Sequence, residues 1–358
     1  MTADEIREQL KQVKYPGFSR DIVSFGIVRE IEVDERRTQV RLFLATENED
    51  VVRQIVEEVE AVLGRIEGLA PADIIVERPR PQQGPGEAAR ALGRGPSRIE
   101  GASRVLAVAS AKGGVGKSTV ASNLAVALAR SGLRVGLLDA DIYGPSVAAM
   151  FGVEPGGRVP ADEEQGMIPV ERHGVRLMSM GMFVREGQPL IWRGPMLGKA
   201  LHQFIDDVAW GQLDYLLLDL PPGTGDVQMT VTMQWAIDGG IIVTTPQKVA
   251  LADVSRGVRM FKEAGAPVVG VIENMSYHLC PGCGRRTDLF GHGGGRRIAE
   301  EEGIAFLGEL PLVRSVRQGG DEGRPIVASD PNGEAAAAFA RVAERLTLEV
   351  PVEEAGHA

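Results

Sequence analysis

The order of apolar and polar residues predicts two folded regions separated by a linker. In residues 1–80, apolar residues recur at helical spacing in two segments, and β-branched residues dominate three others. The predicted helices are residues 5–13 and 50–63, and the predicted strands are residues 24–33, 39–46 and 73–77. This pattern is typical of a small α+β domain. Residues 81–103 are rich in Pro, Gly, Gln and Arg without a sustained period, which predicts a linker.

From residue 104 to residue 350 the pattern alternates between short apolar runs and longer helical segments. The predicted strands are residues 105–110, 133–139, 175–180, 215–219, 240–244 and 268–273. Apolar residues at helical spacing predict a helix after the first strand, residues 117–130, and another at the end of the region, residues 334–348. Strands that are apolar on both faces are typical of a parallel sheet covered by helices on both sides. We therefore predict an α/β fold for this larger domain.

Charge and cysteine content narrow the possible functions. The 358 residues contain 39 Lys and Arg against 49 Asp and Glu, a net charge of −10. That balance argues against a surface built mainly for nucleic acid or anionic lipid. Two cysteines cannot form a disulfide framework, and we find neither an apolar signal-peptide core nor a membrane-length apolar run. We expect a soluble protein in the reducing cytoplasm.

A glycine-rich segment between the first strand and the first helix of the larger domain predicts a phosphate-binding loop. It reads KGGVGKST over residues 112–119. Its backbone N–H groups and the helix N-terminus suit phosphate oxygens, Lys117 can reach the β- and γ-phosphates, and the Ser118 hydroxyl can bind Mg²⁺. The predicted nucleotide-binding residues here are Gly113, Gly114, Val115, Gly116, Lys117, Ser118 and Thr119. A glycine-rich turn without a ligand is the alternative interpretation.

Two later strands of the larger domain end in carboxylates. Asp139 and Asp141 close one strand at i, i+2 spacing, which would place both on one face, so they point to different sides only if the strand ends between them. Asp219 closes another strand and leads into PPGTGD, residues 221–226. Asp219 is placed to support Mg²⁺, and the loop after it can sense the γ-phosphate. A simple turn cap is the alternative role for Asp219.

Both cysteines lie in one short segment, Cys280-Pro-Gly-Cys283. This spacing lets two sulfurs face one metal, but zinc and iron–sulfur clusters usually take four ligands. His278 and His292 could complete an intrachain zinc site, whereas a twofold dimer would bring four thiolates together. A redox pair is a further alternative, although the segment does not begin a helix.

These segments together resemble the deviant Walker ATPases of the MinD/ParA class, and within it the Mrp/ApbC-type iron–sulfur cluster carriers. The loop at 112–119 has Ala111 where the usual pattern has glycine, and the second lysine, Lys112, is the form seen in that class. The other matching segments are LLDADIYGPS at 137–146, PPGTGD at 221–226, ENMSY at 273–277, CPGC at 280–283 and LFGHGGG at 289–295. The resemblance covers residues 104–345. Residues 1–80 look like the small domain of iron–sulfur assembly factors, yet contain no cysteine.

The resemblance implies a function and assigns roles to individual residues. It implies that Lys112 crosses a dimer interface to the partner's nucleotide, that Asp141 activates the attacking water, and that Lys117 stabilises the transferring phosphate. It further places Asp139 near Mg²⁺ and Asn274 at the adenine. The implied molecule is a homodimeric ATPase that holds a [4Fe–4S] cluster between Cys280 and Cys283 of both protomers and passes it to apo-proteins, without binding nucleic acid or membrane.

Other functions of the same ATPase class remain as alternatives. A spatial or partition ATPase would need a basic surface or a basic amphipathic C-terminal helix, which the net charge and the acidic Glu353-Glu354 disfavour. A nitrogenase-type electron donor has its cluster cysteines far apart in sequence, whereas here they are adjacent. An ATPase with a purely structural zinc knuckle is the third alternative.

Overall fold

A computed structural model of the chain describes most of its residues. These are residues 2–14, 16, 21–24, 26–33, 37–44, 49–66, 68–77, 96–142, 144–154, 156, 159–162, 166–183 and 194–352. The chain divides into two compact units, residues 1–83 and 84–358, which we treat separately. Most of the predicted linker, residues 81–95, and the acidic pair Glu353-Glu354 lie outside the described residues.

The first unit is a small α+β domain. Its elements are α1 (Ala3–Leu10), β1 (Val28–Val33), β2 (Thr38–Phe43), α2 (Glu49–Leu63) and β3 (Ala72–Glu77). Strand β2 lies in the middle, antiparallel to β1 and parallel to β3. Helix α1 begins with a capping box, in which the Thr2 hydroxyl accepts from the Glu5 N–H and the Glu5 carboxylate accepts from the Thr2 N–H.

The second unit alternates strands and helices, as its sequence predicts. Its strands are β4 (Ala102–Ala109), β5 (Val135–Asp139), β6 (Ala161–Asp162), β7 (Gly166–Met167), β8 (Val170–Arg172), β9 (Val175–Ser179), β10 (Leu213–Asp219), β11 (Gly239–Thr244), β12 (Val268–Leu279), β13 (Arg286–Thr287) and β14 (Ala305–Pro311). Its helices are α3 (Lys117–Arg130), α4 (Val147–Met150), α5 (Gly194–Asp206), α6 (Asp226–Gln234), α7 (Lys248–Ala264), α8 (Gly294–Glu302), α9 (Arg314–Asp321), α10 (Ile326–Ser329) and α11 (Glu334–Glu349).

The main sheet has nine strands in the order β13-β12-β11-β4-β10-β5-β9-β8, with β14 paired to β12. All pairs are parallel except β12 with β13 and β8 with β9. Every residue of β5 and β11 is buried, so both faces of the sheet are covered. The predicted α/β fold with a mainly parallel sheet and a small N-terminal α+β domain is confirmed. No helix among the described residues is long and apolar enough to cross a bilayer.

Predicted and observed elements agree except at some ends. Helix α3 begins and ends where the sequence predicts, and β4 begins at Ala102 rather than at residue 105. The largest difference is β12, which the apolar pattern ends at residue 273 but which continues to Leu279. Polar residues enter its second half, and Met275 adopts a positive φ of 54°. The strand therefore continues past the end of its pairing with β11, pairs with β13 and carries the backbone to the cysteine segment.

One glycine contact near the start of β4 offers a test of this packing. Gly101 has φ +79°, and a Cβ there would lie 2.2 Å from the Gly211 carbonyl oxygen. Gly132, after α3, has φ +88° but open space around it. We expect Gly132→Ala to lower the free energy of unfolding by about 1–2 kcal/mol, because left-handed backbone strain acts alone there. Gly101→Ala should lower it clearly more, because its Cβ would also meet the Gly211 carbonyl.

Urea unfolding monitored by the fluorescence of buried Trp210 and Trp235, both in the larger unit, measures the two losses. Equal losses in the Gly101 and Gly132 variants would contradict the close approach of the two backbone segments.

Candidate functional site

The phosphate loop lies at the carboxyl end of the central strands, between β4 and the N-terminus of α3. Gly114 and Gly116 have φ +83° and +80°, which only glycine adopts without strain. A Cβ on Gly116 would also lie 2.4 Å from the Asn274 amide nitrogen, so this position has room only for glycine. The loop and its neighbours enclose a cavity of about 260 Å³. Its described lining includes residues 113–119 and Asp141.

Three polar side chains meet in the buried floor beside this cavity. The Lys117 ammonium donates to Asp219 Oδ1 at 2.5 Å and lies 3.2 Å from the Ser118 hydroxyl. Asp219 is fully buried, and its Oδ2 has no hydrogen-bond partner among the described residues. Burial raises the pKa of the Asp219 carboxyl, while Lys117 opposes the rise. A buried carboxylate oxygen without a donor beside a serine hydroxyl fits the support of a hydrated Mg²⁺ bound through Ser118.

Asp139 has a different environment from Asp219. Its Oδ2 accepts from the Ser146 N–H, the Val147 N–H and the Ser179 hydroxyl at 3.1, 3.1 and 2.9 Å, and its Oδ1 accepts from the Asp141 N–H. Burial first, and then the nearby Asp219 carboxylate, raise the pKa of Asp139 to about 7. With donors on both oxygens, Asp139 holds the backbone at Asp141, Ser146 and Val147 against the end of β5.

Asp141 and Lys112 are the two predicted catalytic groups that face outward. Asp141 lines the cavity and accepts from the Gly144 N–H at 3.2 Å. Lys112 is exposed and does not line the cavity of its own chain. The two carboxylates of the i, i+2 pair have different environments because β5 ends at Asp139, so they no longer share one face of a strand.

Asn274 lies beneath the phosphate loop. It is almost fully buried, and its side-chain amide donates to the Val115 carbonyl at 2.9 Å. This contact ties strand β12 to the loop. The predicted adenine contact of Asn274 stays a prediction.

Some lining residues escape prediction from the sequence. Ser110 lines the cavity at the end of β4, and its buried hydroxyl has no partner among the described residues. The sequence signal for Ser110 was a polar residue at the end of an apolar run. Other lining residues come from the segment after Asp141 and from the loop after β10, namely Gly144, Ser146, Met150 and Pro222.

The two cysteines lie at the tip of a hairpin formed by β12 and β13. Leu279 pairs with Arg286, the Cys280 N–H donates to the Arg285 carbonyl at 3.0 Å, and the Gly284 N–H donates to the Cys280 carbonyl at 2.8 Å. Cys280 is half-buried and Cys283 is exposed, and both are free thiols. The Gly282 and Cys283 N–H groups lower the pKa of the Cys280 thiol, which favours the thiolate that binds metals.

The described residues supply no further ligands for this thiol pair. No three His, Cys, Asp or Glu side chains among them gather where they could hold a metal ion. His278 directs Nδ1 at the Leu312 carbonyl, and His292 accepts from Arg286 at Nδ1. The intrachain zinc site that His278 and His292 could complete is therefore not assembled in the described part of the chain.

A network of side chains holds the hairpin on the sheet. The Arg286 guanidinium donates to both oxygens of Glu309 at 3.0 and 3.1 Å and to Asp288 at 3.1 Å, and lies 4.1 Å over the Tyr277 ring. These hydrogen bonds lower the pKa of Glu309. The Ser276 hydroxyl lies 3.1 Å from Glu309. The planar guanidinium can make all these contacts at once, which an ammonium cannot.

The same network continues to the first half of β12. The Ser276 hydroxyl also lies 2.6 Å from the Glu273 carboxylate, which accepts from the Gly295 N–H at 2.5 Å. Glu273 is fully buried and directly precedes Asn274 in β12. One strand therefore joins the phosphate loop to the cysteine hairpin.

Removal of the guanidinium should loosen the hairpin without unfolding the domain. We expect Arg286→Ala to raise the amide exchange rates of Cys280 and Gly284 by about tenfold, since three charge-assisted hydrogen bonds are lost. Hydrogen exchange with mass spectrometry measures this. The matched control is Arg285→Ala, because the Arg285 side chain is exposed and only its backbone carbonyl joins the hairpin. Unchanged exchange in Arg286→Ala would mean that the turn is held by its backbone alone.

Comparisons with known proteins agree with this geometry. Residues 101–347 match the family described as NUBPL iron-transfer P-loop NTPase, and residues 3–74 match the family described as iron-sulfur cluster assembly protein. The chain is 44% identical to the iron-sulfur cluster carrier protein of Deinococcus radiodurans, over 98% of this chain and 96% of that one. It is 39% identical to the protein of the same name from Synechocystis, over 98% of both.

Solved structures show the same fold. A nucleotide-binding protein from Archaeoglobus fulgidus in complex with ADP is 38% identical, covers 68% of this chain and 94% of its own, and has a TM-score of 0.58. The cell division ATPase MinD of Pyrococcus furiosus, 22% identical with a TM-score of 0.52, covers 69% of this chain and 99% of its own and shares the fold. The chain belongs to the iron–sulfur cluster carrier family of P-loop NTPases.

Proposed function

We propose that this carrier hydrolyses ATP, holds a [4Fe–4S] cluster between two protomers and transfers it to apo-proteins. The observation that carries the proposal is the pair of free thiols at the tip of the β12–β13 hairpin. Among the described residues no third metal-binding side chain accompanies the pair. The pair is half of a four-ligand site.

A second copy of the chain is the simplest source of the missing ligands. A [4Fe–4S] cluster takes four thiolates, and a twofold axis beside the hairpin doubles Cys280 and Cys283 without any other residue. Cys283 is exposed and Cys280 half-buried, so both sulfurs are reachable from outside the chain. The exposed Lys112 supports the same arrangement, because it does not line the cavity of its own chain and is free to reach the partner's nucleotide.

Hydrolysis follows from charge stabilisation around the γ-phosphate. The N–H groups of the loop 113–116 and the Lys117 ammonium bind the phosphates, and Lys112 of the partner protomer adds a second cation to the charge that develops in the transition state. Mg²⁺ carried by the nucleotide would be held by the Ser118 hydroxyl with Asp219 beside it and would neutralise phosphate charge. Asp141, at the mouth of the cavity, orients the attacking water. With no stronger base in the described cavity lining, we expect slow turnover.

Transfer then depends on the link between nucleotide and thiols. When the phosphate loop adjusts to the nucleotide, Asn274 conveys the change to β12, which ends directly before Cys280. Movement of the 221–226 loop at the dimer interface would alter the separation of the two hairpins. A shared, exposed cluster is sensitive to such shifts, which suits release to apo-proteins in a reducing compartment such as the cytoplasm.

Anaerobic reconstitution with iron and sulfide tests the cargo and its stoichiometry. We expect about four irons per dimer and a broad thiolate-to-iron absorption band, both lost in Cys280→Ser/Cys283→Ser. Transfer of the iron to a chelator-stripped apo-ferredoxin should accompany loss of the band. The wild-type protein carried through the same procedure without sulfide is the control for adventitious iron and should not develop the band. One tightly bound zinc per monomer without iron uptake would overturn the proposal in favour of a zinc knuckle.

A lysine substitution separates hydrolysis from cluster binding. We expect Lys117→Ala to lower the ATP hydrolysis rate by at least about 10²-fold, the usual loss for one transition-state donor, with iron content preserved. Lys262→Ala, on the exposed face of α7, is the matched control and should leave the rate unchanged. Phosphate release measures the rate, and iron analysis of the same samples measures the cargo. Unchanged ATP hydrolysis in Lys117→Ala would show that the phosphate loop takes no part in the reaction.

A further inference from the structure

A second and larger cavity lies at the edge of the sheet, away from the phosphate loop. It has a volume of about 510 Å³ and is lined by α8, β14 and α11. Among the described strands, β14 pairs only with β12, so its outer edge has no strand partner. Phe306 and Ile304 supply an apolar floor that is only partly buried. We name this cavity the arginine groove because Arg296, Arg341 and Arg345 line it.

The groove is locally basic in a chain with a net charge of −10. Its three arginine side chains are exposed, and Arg345 pairs with Glu349 at 2.8 Å. Neither Arg296 nor Arg341 forms an ion pair with a carboxylate of the described residues. The Arg296 guanidinium lies 4.5 Å over the Phe306 ring. Two exposed arginines thus line the groove without an ion pair to a described carboxylate, and one of them, Arg296, lies over the apolar floor.

The acidic side chains of the groove do not cancel this charge. Glu309 lines the groove but already accepts two hydrogen bonds from Arg286. That leaves Glu300, on α8, as the other lining carboxylate. Because screening at physiological salt limits charge effects to about 8 Å, the two guanidinium groups outweigh the distant net charge for a ligand in the groove.

The groove adjoins the cysteine hairpin and not the nucleotide site. Glu309 lies in its lining and also fixes Arg286, which follows the cysteine segment closely as the first residue of β13. Among the described residues, the lining of the groove shares none with the lining of the nucleotide cavity. An occupant of the groove would therefore lie beside the thiols without blocking ATP.

We propose that the arginine groove docks the recipient apo-protein through an extended acidic segment, whose carboxylates bind Arg296 and Arg341. The proposal deepens the proposed function and rests on it. The segment lies along the outer edge of β14, where its backbone can pair over a short stretch. The pairing is short because β14 has an irregular register with β12 near Leu307. Two unpaired arginines are too few for nucleic acid, which needs many phosphate contacts.

The docking arm of the test needs no cluster. The probe is a fluorescein-labelled eight-residue peptide of alternating glutamate and valine, titrated with the full iron-free chain at physiological salt. We expect Arg296→Glu/Arg341→Glu to bind it about tenfold more weakly, as for the loss of two exposed ion pairs. Arg297→Glu is the matched control, since Arg297 is the next residue of α8, exposed, and outside the groove lining, and it should change binding by less than about twofold.

Two further comparisons make this arm decisive. A peptide with lysine in place of glutamate should bind the wild-type chain more weakly than the acidic peptide, and equal affinities would overturn the proposal. The milder Arg296→Gln/Arg341→Gln variant repeats the measurement without charge reversal, so that a folding defect of the first variant cannot mimic the result. Unchanged binding in both variants would also overturn it.

The transfer arm asks whether the occupant is a recipient. The charge-reversal variant should load iron and hydrolyse ATP as the wild type does, but transfer iron to apo-ferredoxin about tenfold more slowly at low acceptor concentration and normally at saturation. Unchanged transfer with weakened peptide binding would overturn the recipient assignment. If the wild type loads no iron, the proposed function fails, while the peptide arm still reports on the groove.

Discussion

The buried contact between the Lys117 ammonium and the Asp219 carboxylate constrains the whole nucleotide end of the molecule. Burying such a pair is costly, and removing either partner leaves a buried charge alone. The pair persists because parallel strands end at one edge, where the phosphate loop, β10 and β5 converge. Asp219 Oδ2 and the Ser110 hydroxyl remain without partners among the described residues. These unsatisfied groups are what a phosphate-bound cation and its water would use, so the site trades stability for ligand affinity.

Strand β12 extends this constraint to the second site. Its first half is buried beside β11, Asn274 in its middle holds the phosphate loop, and its last residues pair with β13 and lead to Cys280. Glu273, Ser276, Glu309 and Arg286 fix that second half by contacts between side chains of β12, β13 and β14. The exposed contacts of Arg286 can exchange with water, so the tip of the hairpin can shift with less loss than a packed apolar core. This suits the proposed role of the loop in holding and releasing a cluster.

Prediction from the sequence succeeded where local pattern and local chemistry agree. Helix α3 was predicted to its ends because KGGVGKST specifies its N-terminus and a regular apolar pattern fills it. The predicted end of β12 was wrong, because an apolar pattern cannot follow a strand whose later buried residues, such as Asn274 and Ser276, are polar. Ser110 was also missed. The contact between Arg286 and Glu309 was missed because the two residues are distant in sequence and neither is part of a motif.

The sequence by itself determined the fold class, the phosphate loop and the close spacing of the two cysteines. Each of these depends on periodicity or on short motifs of neighbouring residues. Only the tertiary structure decided which carboxylate keeps an oxygen without a donor. Asp139 and Asp219 both end parallel strands, yet Asp139 is surrounded by donors and Asp219 keeps one oxygen unpaired among the described residues. It also decided where the arginines of α8 and α11 meet, because residues far apart in the chain come together only when β14 packs between the two helices.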